Sequence, residues 1–132
     1  MDYPDLINGM VLVAPSISPA LEPSNGWRKL LNFPLFRWVS PPALRVCNQE
    51  IIPLKEELLE MENRWKNIEC PVTIIQGVED KLVPKGNAFF AKEQLTNSRD
   101  VQIIMIDGGN HFILWSEVPL IRTAILDMLD NL

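Results

Sequence analysis

The single histidine of the chain and an aspartate 31 positions before it are the side chains that could do chemistry together. His111 follows Asp107-Gly108-Gly109-Asn110, and Asp80 follows Gln76-Gly77-Val78-Glu79. An imidazole with an ordinary pKa of about 6.5 can accept a proton at neutral pH. A carboxylate on the other ring nitrogen would fix the tautomer and stabilise the imidazolium that forms. The pair therefore predicts general-base chemistry.

Each of these two residues follows an apolar run that predicts a buried strand. Val72 to Ile75 precedes Asp80, Val101 to Ile106 precedes His111, and a third run covers Met10 to Ala14. Continuous apolar runs of this length are typical of parallel strands that are buried on both faces. Catalytic groups collect at the carboxyl ends of such strands, which is where both residues are expected.

Helical patterns follow the second and third predicted strands. Pro84 to Leu95 has apolar residues at helical spacing, and a last helix is expected with Ser116 as its cap and Pro119 in its first turn. Its apolar stripe would consist of Leu120, Ile121, Ala124, Ile125, Met128 and Leu129. The β-α-β-α order predicts the α/β fold class, with about three parallel strands and flanking helices.

The stretch from residue 15 to about residue 49 interrupts this pattern and is expected to be a rigid, aromatic insertion. It contains Pro15, Pro19, Pro23, Pro34, Pro41 and Pro42 together with Trp27, Phe33, Phe36 and Trp38. These aromatic side chains could line an apolar pocket or pack on the core.

A further helix is expected from Glu50. Its apolar positions would be Leu54, Leu58, Met61 and Trp65, with Glu56, Glu57, Glu60 and Glu62 largely on a solvated outer face.

Two segments resemble the α/β-hydrolase superfamily. Pro71 to Pro84 (PVTIIQGVEDKLVP) is similar to the family's P-v-x-x-x-x-G-x-x-D-x-x-v-P segment, and Gly109 to Phe112 (GNHF) resembles its G-x-H-f loop. The resemblance implies that residues 1–132 are the C-terminal part of one such domain, with a short helical cap insertion at 15–49. It also implies that Asp80 is the acid and His111 the base of a catalytic triad, in the family order nucleophile, acid, histidine.

Two other acids could take the place of Asp80 beside the histidine. Glu79 precedes Asp80 directly, and Asp107 lies four residues before His111. Asp107 is the weaker alternative because it shares the histidine's own loop.

The family's nucleophile is missing from the sequence. None of the serines, Ser16, Ser18, Ser24, Ser40, Ser98 and Ser116, has the flanking glycines of a G-x-S-x-G turn, and neither does Cys47 or Cys70. An acid and base without a nucleophile or an oxyanion hole have nothing to activate. We therefore expect a truncated hydrolase that is inactive alone.

Composition excludes several other classes of function. A net charge of -5, from 17 acidic and 12 basic residues, argues against nucleic acid as a partner. No apolar run approaches the roughly 20 residues of a membrane span, and the N-terminus does not read as a signal peptide, so a cytoplasmic protein is expected. The two cysteines lack CxxC spacing and are expected to be reduced thiols, and no metal or cofactor is expected.

Three functional hypotheses remain open. The first is part of a serine-type hydrolase acting on a small ester-like or apolar substrate, with esterase, lipase, lactonase, peptidase and C–C bond hydrolase all possible. The second is a non-catalytic module that binds an apolar ligand or a protein, and the third is one subunit of a split hydrolase. The strand at Met10 would lack a neighbour, which predicts a homo-oligomer or association with a missing N-terminal half.

Overall fold

A computed structural model describes residues 6–22 and 53–132. Three strands, β1 (Met10–Val13), β2 (Val72–Gly77) and β3 (Val101–Ile106), form a parallel sheet in the order β1-β2-β3. The predicted three-stranded parallel sheet is confirmed. β1 ends one residue earlier than predicted, because Ala14 turns into the left-handed region with a φ of 45°.

The central strand β2 is buried along its whole length, between two apolar clusters. Successive side chains of a strand point to opposite faces, so Val72 and Ile74 contribute to one cluster and Ile75 to the other. β1 and β3 follow the same alternation: Met10, Leu12, Val101 and Ile103 pack on the first face, and Val11, Val13, Ile104 and Ile106 on the second. This two-sided burial explains why the strands read as continuous apolar runs.

Helices cover both faces of the sheet in the described part of the chain. They are α1 over residues 53–62, α2 (Gly86–Gln94), α3 (Ile113–Ser116) and α4 (Val118–Asp130), with a 3-10 turn at Trp65–Asn67. Ala88 and Ala91 of α2 lie in the first cluster, and Ile121 and Ala124 of α4 lie in the second. The α/β class with flanking helices is thereby confirmed.

The last helical segment differs from its prediction. Ser116 is the last residue of α3 and does not cap α4, because the Glu117 amide hydrogen-bonds to the Ile113 carbonyl and closes a separate short helix. Glu117 is the N-cap of α4, without a side-chain hydrogen bond, and Pro119 lies in the first turn as expected. The apolar stripe is only partly buried: Ile125 is 44% exposed and Leu129 is 60% exposed.

The helix predicted from Glu50 is described from residue 53 and stops earlier than expected. Leu58 is buried in α1, but Trp65 is buried from the 3-10 turn, because the chain tightens after residue 62. Met61 is 41% exposed, against expectation. Glu56, Glu57 and Glu60 are exposed as predicted, whereas Glu62 is half-buried.

Several predictions fall on other parts of the chain. Residues 23–49 of the predicted cap insertion, with its four aromatic side chains, lie outside the described residues, as do Glu50 and Cys47. Cys70 is a free, buried cysteine, and burial raises the pKa of its thiol. No helix within residues 6–22 and 53–132 has the length and apolar character needed to cross a membrane.

Candidate active site

The two residues predicted to act together meet at the carboxyl edge of the sheet. Asp80 lies in the loop after β2 and His111 in the loop after β3, and these strands are direct neighbours. His111 Nδ1 is 2.9 Å from Asp80 Oδ2. The Asp80 side chain is fully buried, whereas the His111 side chain is 31% exposed. One end of the pair is thus shielded from water and the other is accessible.

Four donors saturate the Asp80 carboxylate. Oδ1 accepts the backbone N–H groups of Leu82 and Val83, at 2.9 and 2.8 Å. Oδ2 accepts from Gln76 Nε2 at 3.1 Å and lies against His111 Nδ1. Asp80 therefore caps its own loop with one oxygen and presents the other to the histidine.

The pKa of Asp80 is lowered from its ordinary value, so the carboxylate is ionised at neutral pH. Burial acts in the opposite direction, because it penalises the charged form. The hydrogen bonds from Val83, His111 and Leu82, with the charge that His111 can carry, outweigh burial. A buried carboxylate kept ionised is what stabilising an imidazolium requires.

The state of Asp80 fixes the tautomer of His111. An ionised carboxylate can only accept hydrogen bonds, so Nδ1 of the neutral ring carries the hydrogen and Nε2 keeps its lone pair. No hydrogen bond to Nε2 comes from any residue that the structure describes. The arrangement leaves the outer nitrogen free to take a proton.

Main-chain hydrogen bonds join the loops that carry the pair. The Val78 amide donates to the Ile106 carbonyl at 3.0 Å, and the Glu79 amide donates to the Gly109 carbonyl at 2.9 Å. The strand register thus continues past the sheet and into the acid loop. The separation of Asp80 from His111 is set largely by backbone.

Two glycines make this close approach possible. A Cβ atom on Gly77 would lie 2.3 Å from the Gly109 carbonyl oxygen, so any side chain there would push the loops apart. Gly108 has a φ of 70°, a conformation that glycine adopts without steric cost. Gly108 thereby allows the sharp turn in the loop that carries His111.

The alternative acids lie elsewhere. Glu79 and Asp107 are exposed, and neither carboxylate is bonded to His111, whose Nδ1 faces Asp80. Their position on the same two loops does not bring them to the ring.

No described serine forms a hydrogen bond with the histidine. The Ser16 hydroxyl bonds to Glu22, and the Ser98 hydroxyl bonds to the Cys70 and Asp100 carbonyls at the other end of the sheet. Ser18 and Ser116 make no hydrogen bond to His111 either. Nor do residues 6–22 and 53–132 contain a cluster of three or more His, Cys, Asp or Glu side chains placed to hold a metal ion.

Two buried amides were not singled out from the sequence. Gln76 touches Asp80, and it could have been noticed as a polar residue near the end of an otherwise apolar run. Asn87 is fully buried at the start of α2, where its Oδ1 accepts the backbone N–H groups of Ile17 and Ser18. Nothing local marks Asn87, because its partners lie about 70 residues away.

Comparison with known proteins gives structural likeness only. No family model and no curated protein matches the sequence. Monoacylglycerol lipase from Paleococcus ferrophilus aligns at TM-score 0.64 and 18% identity, over 99% of this chain and 62% of that protein. Mouse alpha/beta hydrolase domain-containing protein 10 aligns at TM-score 0.62 and 16% identity, over 98% of this chain and 55% of that protein.

A third structure agrees with these two. An α/β-hydrolase enzyme from a Medee basin deep-sea metagenome library aligns at TM-score 0.58 and 21% identity, over 97% of this chain and 58% of that protein. The chain therefore spans less than two thirds of the length of these structures. With its parallel sheet and flanking helices, this chain has a partial α/β-hydrolase fold.

Proposed function

We propose that this chain supplies the acid and the general base of a serine-type hydrolase that cleaves an ester, amide or related bond. The observation that carries the proposal is the 2.9 Å contact between His111 Nδ1 and Asp80 Oδ2, at the carboxyl edge of the sheet. The contact leaves Nε2 free and the carboxylate ionised. That is the arrangement in which a histidine can act as a general base.

The proton moves in a closed cycle in this proposal. His111 Nε2 removes the hydroxyl proton of a serine as the serine oxygen forms a bond to the substrate carbonyl carbon. The imidazolium, stabilised by Asp80, returns that proton to the leaving group as the scissile bond breaks. Water then attacks the acyl-enzyme, with His111 acting again as base and then as acid, and the serine is restored.

The nucleophile and the oxyanion donors lie outside this chain in our proposal. The sequence has no G-x-S-x-G turn, and the chain covers 55–62% of the length of the mouse and Paleococcus structures. The missing groups could belong to the same longer polypeptide or to a second subunit. Either arrangement predicts that the 132-residue chain alone has no turnover.

Exposed apolar side chains beside the histidine favour a substrate with an apolar group. The Phe112 ring meets His111 edge-on at 5.9 Å between centroids and lies 5.9 Å from Trp115. Phe112 is 56% exposed, Trp115 69% and Leu82, close to Asp80, 63%. An acyl or alcohol chain could cover this surface while the substrate carbonyl meets the serine that Nε2 deprotonates.

The decisive experiment uses the longest open reading frame that contains this chain. Its product is reacted with a fluorophosphonate probe and with nitrophenyl esters of increasing chain length. We expect a labelled serine outside residues 1–132, loss of turnover in His111→Ala, and a loss of about 10⁴-fold in Asp80→Asn. Glu79→Gln is the matched control, because it removes an exposed acid from the same loop.

Three results would contradict the proposal. Labelling or ester turnover that persists in His111→Ala would show that the histidine is not the base. Turnover by the 132-residue chain alone, lost in His111→Ala, would place the nucleophile inside it. Saturable binding of an apolar ester without turnover in the longer product would favour the binding module.

We also propose that the rest of the fold docks against β1. Among the described residues no strand pairs with the outer edge of β1, and Leu129 and Leu132 of the C-terminal segment are 60% and 55% exposed. The Met10 and Ala14 amides bond toward β2, which directs the Val11 N–H outward. An edge of this kind templates association.

Light scattering tests this docking edge. We expect the 132-residue chain to form dimers or larger species at micromolar concentration, and Val11→Pro, which removes an outward N–H, to shift it to monomer. Addition of a nucleophile-bearing segment should compete with self-association. A sharp monomer peak for the unmodified chain would argue against the edge as a docking surface.

A further inference from the structure

Gln76 is a buried amide in contact with the acid of the proposed pair. It is the fifth of the six residues of β2, and it has no exposed surface. Its Nε2 donates to Asp80 Oδ2 at 3.1 Å and to the Val83 carbonyl at 3.2 Å. The same side chain thus holds both the carboxylate and the loop that the carboxylate caps.

The orientation of this amide is determined by its neighbours. All the groups that Nε2 faces are acceptors, including the more distant Gly77 carbonyl at 3.5 Å, and the NH₂ group has two hydrogens to offer them. A flipped amide would turn Oε1 toward the Asp80 carboxylate and the Val83 carbonyl, which would repel it. With Nε2 so placed, Oε1 is buried and finds no hydrogen-bond partner in the described part of the chain.

Because Oε1 has no partner among residues 6–22 and 53–132, the stability of the strand does not account for an amide at this position. A buried acceptor without a partner lowers stability, and an apolar side chain of the same size would avoid that loss. Val72 and Ile74, which precede Gln76 on the same face of β2, are apolar and buried. The contact with Asp80 is what distinguishes the position.

We propose that Gln76 is a positioning residue that holds Asp80 Oδ2 toward His111 Nδ1 and so fixes the tautomer of the base. The two backbone N–H groups anchor Oδ1 only. The Gln76 amide adds the restraint on Oδ2, which keeps the carboxylate from rotating away from the ring. This inference deepens the proposed function and rests on it, because the tautomer matters only if His111 is the base.

The chain offers a clean readout, because His111 is its single histidine. Nitrogen-15 NMR of the imidazole reports the tautomer without assignment ambiguity. We expect the Nδ1–H form in the 132-residue chain, with a low-field proton signal. In Gln76→Met and Gln76→Leu we expect loss of that proton signal and a several-fold rise in the Nε2–H form.

Two further variants calibrate the measurement. Asp80→Asn removes the carboxylate and gives the reference for a lost Nδ1 interaction. Thr73→Val is the matched control, since Thr73 is a buried polar residue of β2 on the opposite face. We expect it to leave the imidazole signals unchanged.

The outcomes separate this inference from the proposed function. Unchanged imidazole signals in folded Gln76→Met would overturn the positioning role and leave the proposed function standing. Loss of folding in both apolar variants, seen by circular dichroism, would make Gln76 a structural residue and also overturn it. Absence of the Nδ1–H form in the unmodified chain would contradict both proposals.

Discussion

The two neighbours of β2 are attached to it in different ways. On the β3 side, contacts continue beyond the strands: backbone hydrogen bonds join the loops, and Asp80 meets His111. On the β1 side, pairing covers four residues and ends where Ala14 takes a left-handed conformation. The contact between Asp80 and His111 is therefore formed on the β3 side, whereas the β1 side is where we propose that the nucleophile segment attaches.

A different side chain secures each side. Gln76 holds the acid loop from within β2, and Asn87 holds the segment after β1 from the start of α2. Both amides are fully buried. If the two sides are independent, a change on one should leave the other intact.

The largest loss of stability is expected from filling the space between the two loops on the β3 side. Gly77→Ala would place a methyl group 2.3 Å from the Gly109 carbonyl oxygen, and overpacking of this kind costs about 3 kcal/mol. Urea denaturation measures the loss. Gly108→Ala is the control, because the added methyl group would meet no atom within 4 Å. Its loss of stability comes only from placing alanine at a φ of 70°, which costs about 1 kcal/mol. Equal losses in both would show that the loops are not tightly joined.

A smaller loss of stability is expected from a substitution on the β1 side. Asn87→Leu would leave the buried Ile17 and Ser18 amides without an acceptor, at about 2 kcal/mol. The His111 tautomer, read by NMR, should not change. Asn87→Asp keeps the acceptor and should retain more stability than Asn87→Leu. A change in the His111 signals in Asn87→Leu would mean that the two sides of β2 are coupled.

The acid itself should show its contribution through pH. The pKa of Asp80 is lowered in the folded chain, so its stabilisation is present above the unfolded value of about 3.9 and is lost as the pH falls through the folded pKa. Asp80→Asn should therefore be less stable at pH 7, by about 1 kcal/mol, with the difference shrinking below about pH 4. Urea denaturation midpoints of the unmodified chain and of Asp80→Asn, measured from pH 7 to below about pH 4, test this prediction. A stability difference that does not change with pH would contradict it.

The smallest effects are expected from the exposed acids of the same loops. Glu79→Gln and Asp107→Asn should change stability by no more than about 0.5 kcal/mol and leave the His111 tautomer alone. Imidazole NMR with urea denaturation measures both. A tautomer shift in either variant would reopen the question of which acid faces the ring.

Much of this arrangement could be predicted because it depends on local pattern. Three apolar runs predicted the three parallel strands, and the loops after two of them place Asp80 and His111 at one edge. The position of each residue directly after a predicted strand was enough to place both at the same edge of the sheet. No side-chain detail was required.

What could not be predicted depends on contacts between distant residues. The role of Asn87 follows from amides about 70 positions away, and the need for a glycine at position 77 follows from the carbonyl of Gly109. Ser116 failed as a cap because α3 had already used the residues before Glu117. Helix ends are decided by such competition, which residue type alone does not reveal.

The backbone hydrogen bonds between the two loops bear on which side chains can vary among related sequences. Because main-chain groups of Val78, Glu79, Ile106 and Gly109 set the spacing of acid and base, that spacing does not depend on the outward side chains. Glu79, Lys81 and Asp107 are all exposed there. Descendants of this sequence, or designed libraries, could vary these three positions while keeping the same contact between Asp80 and His111.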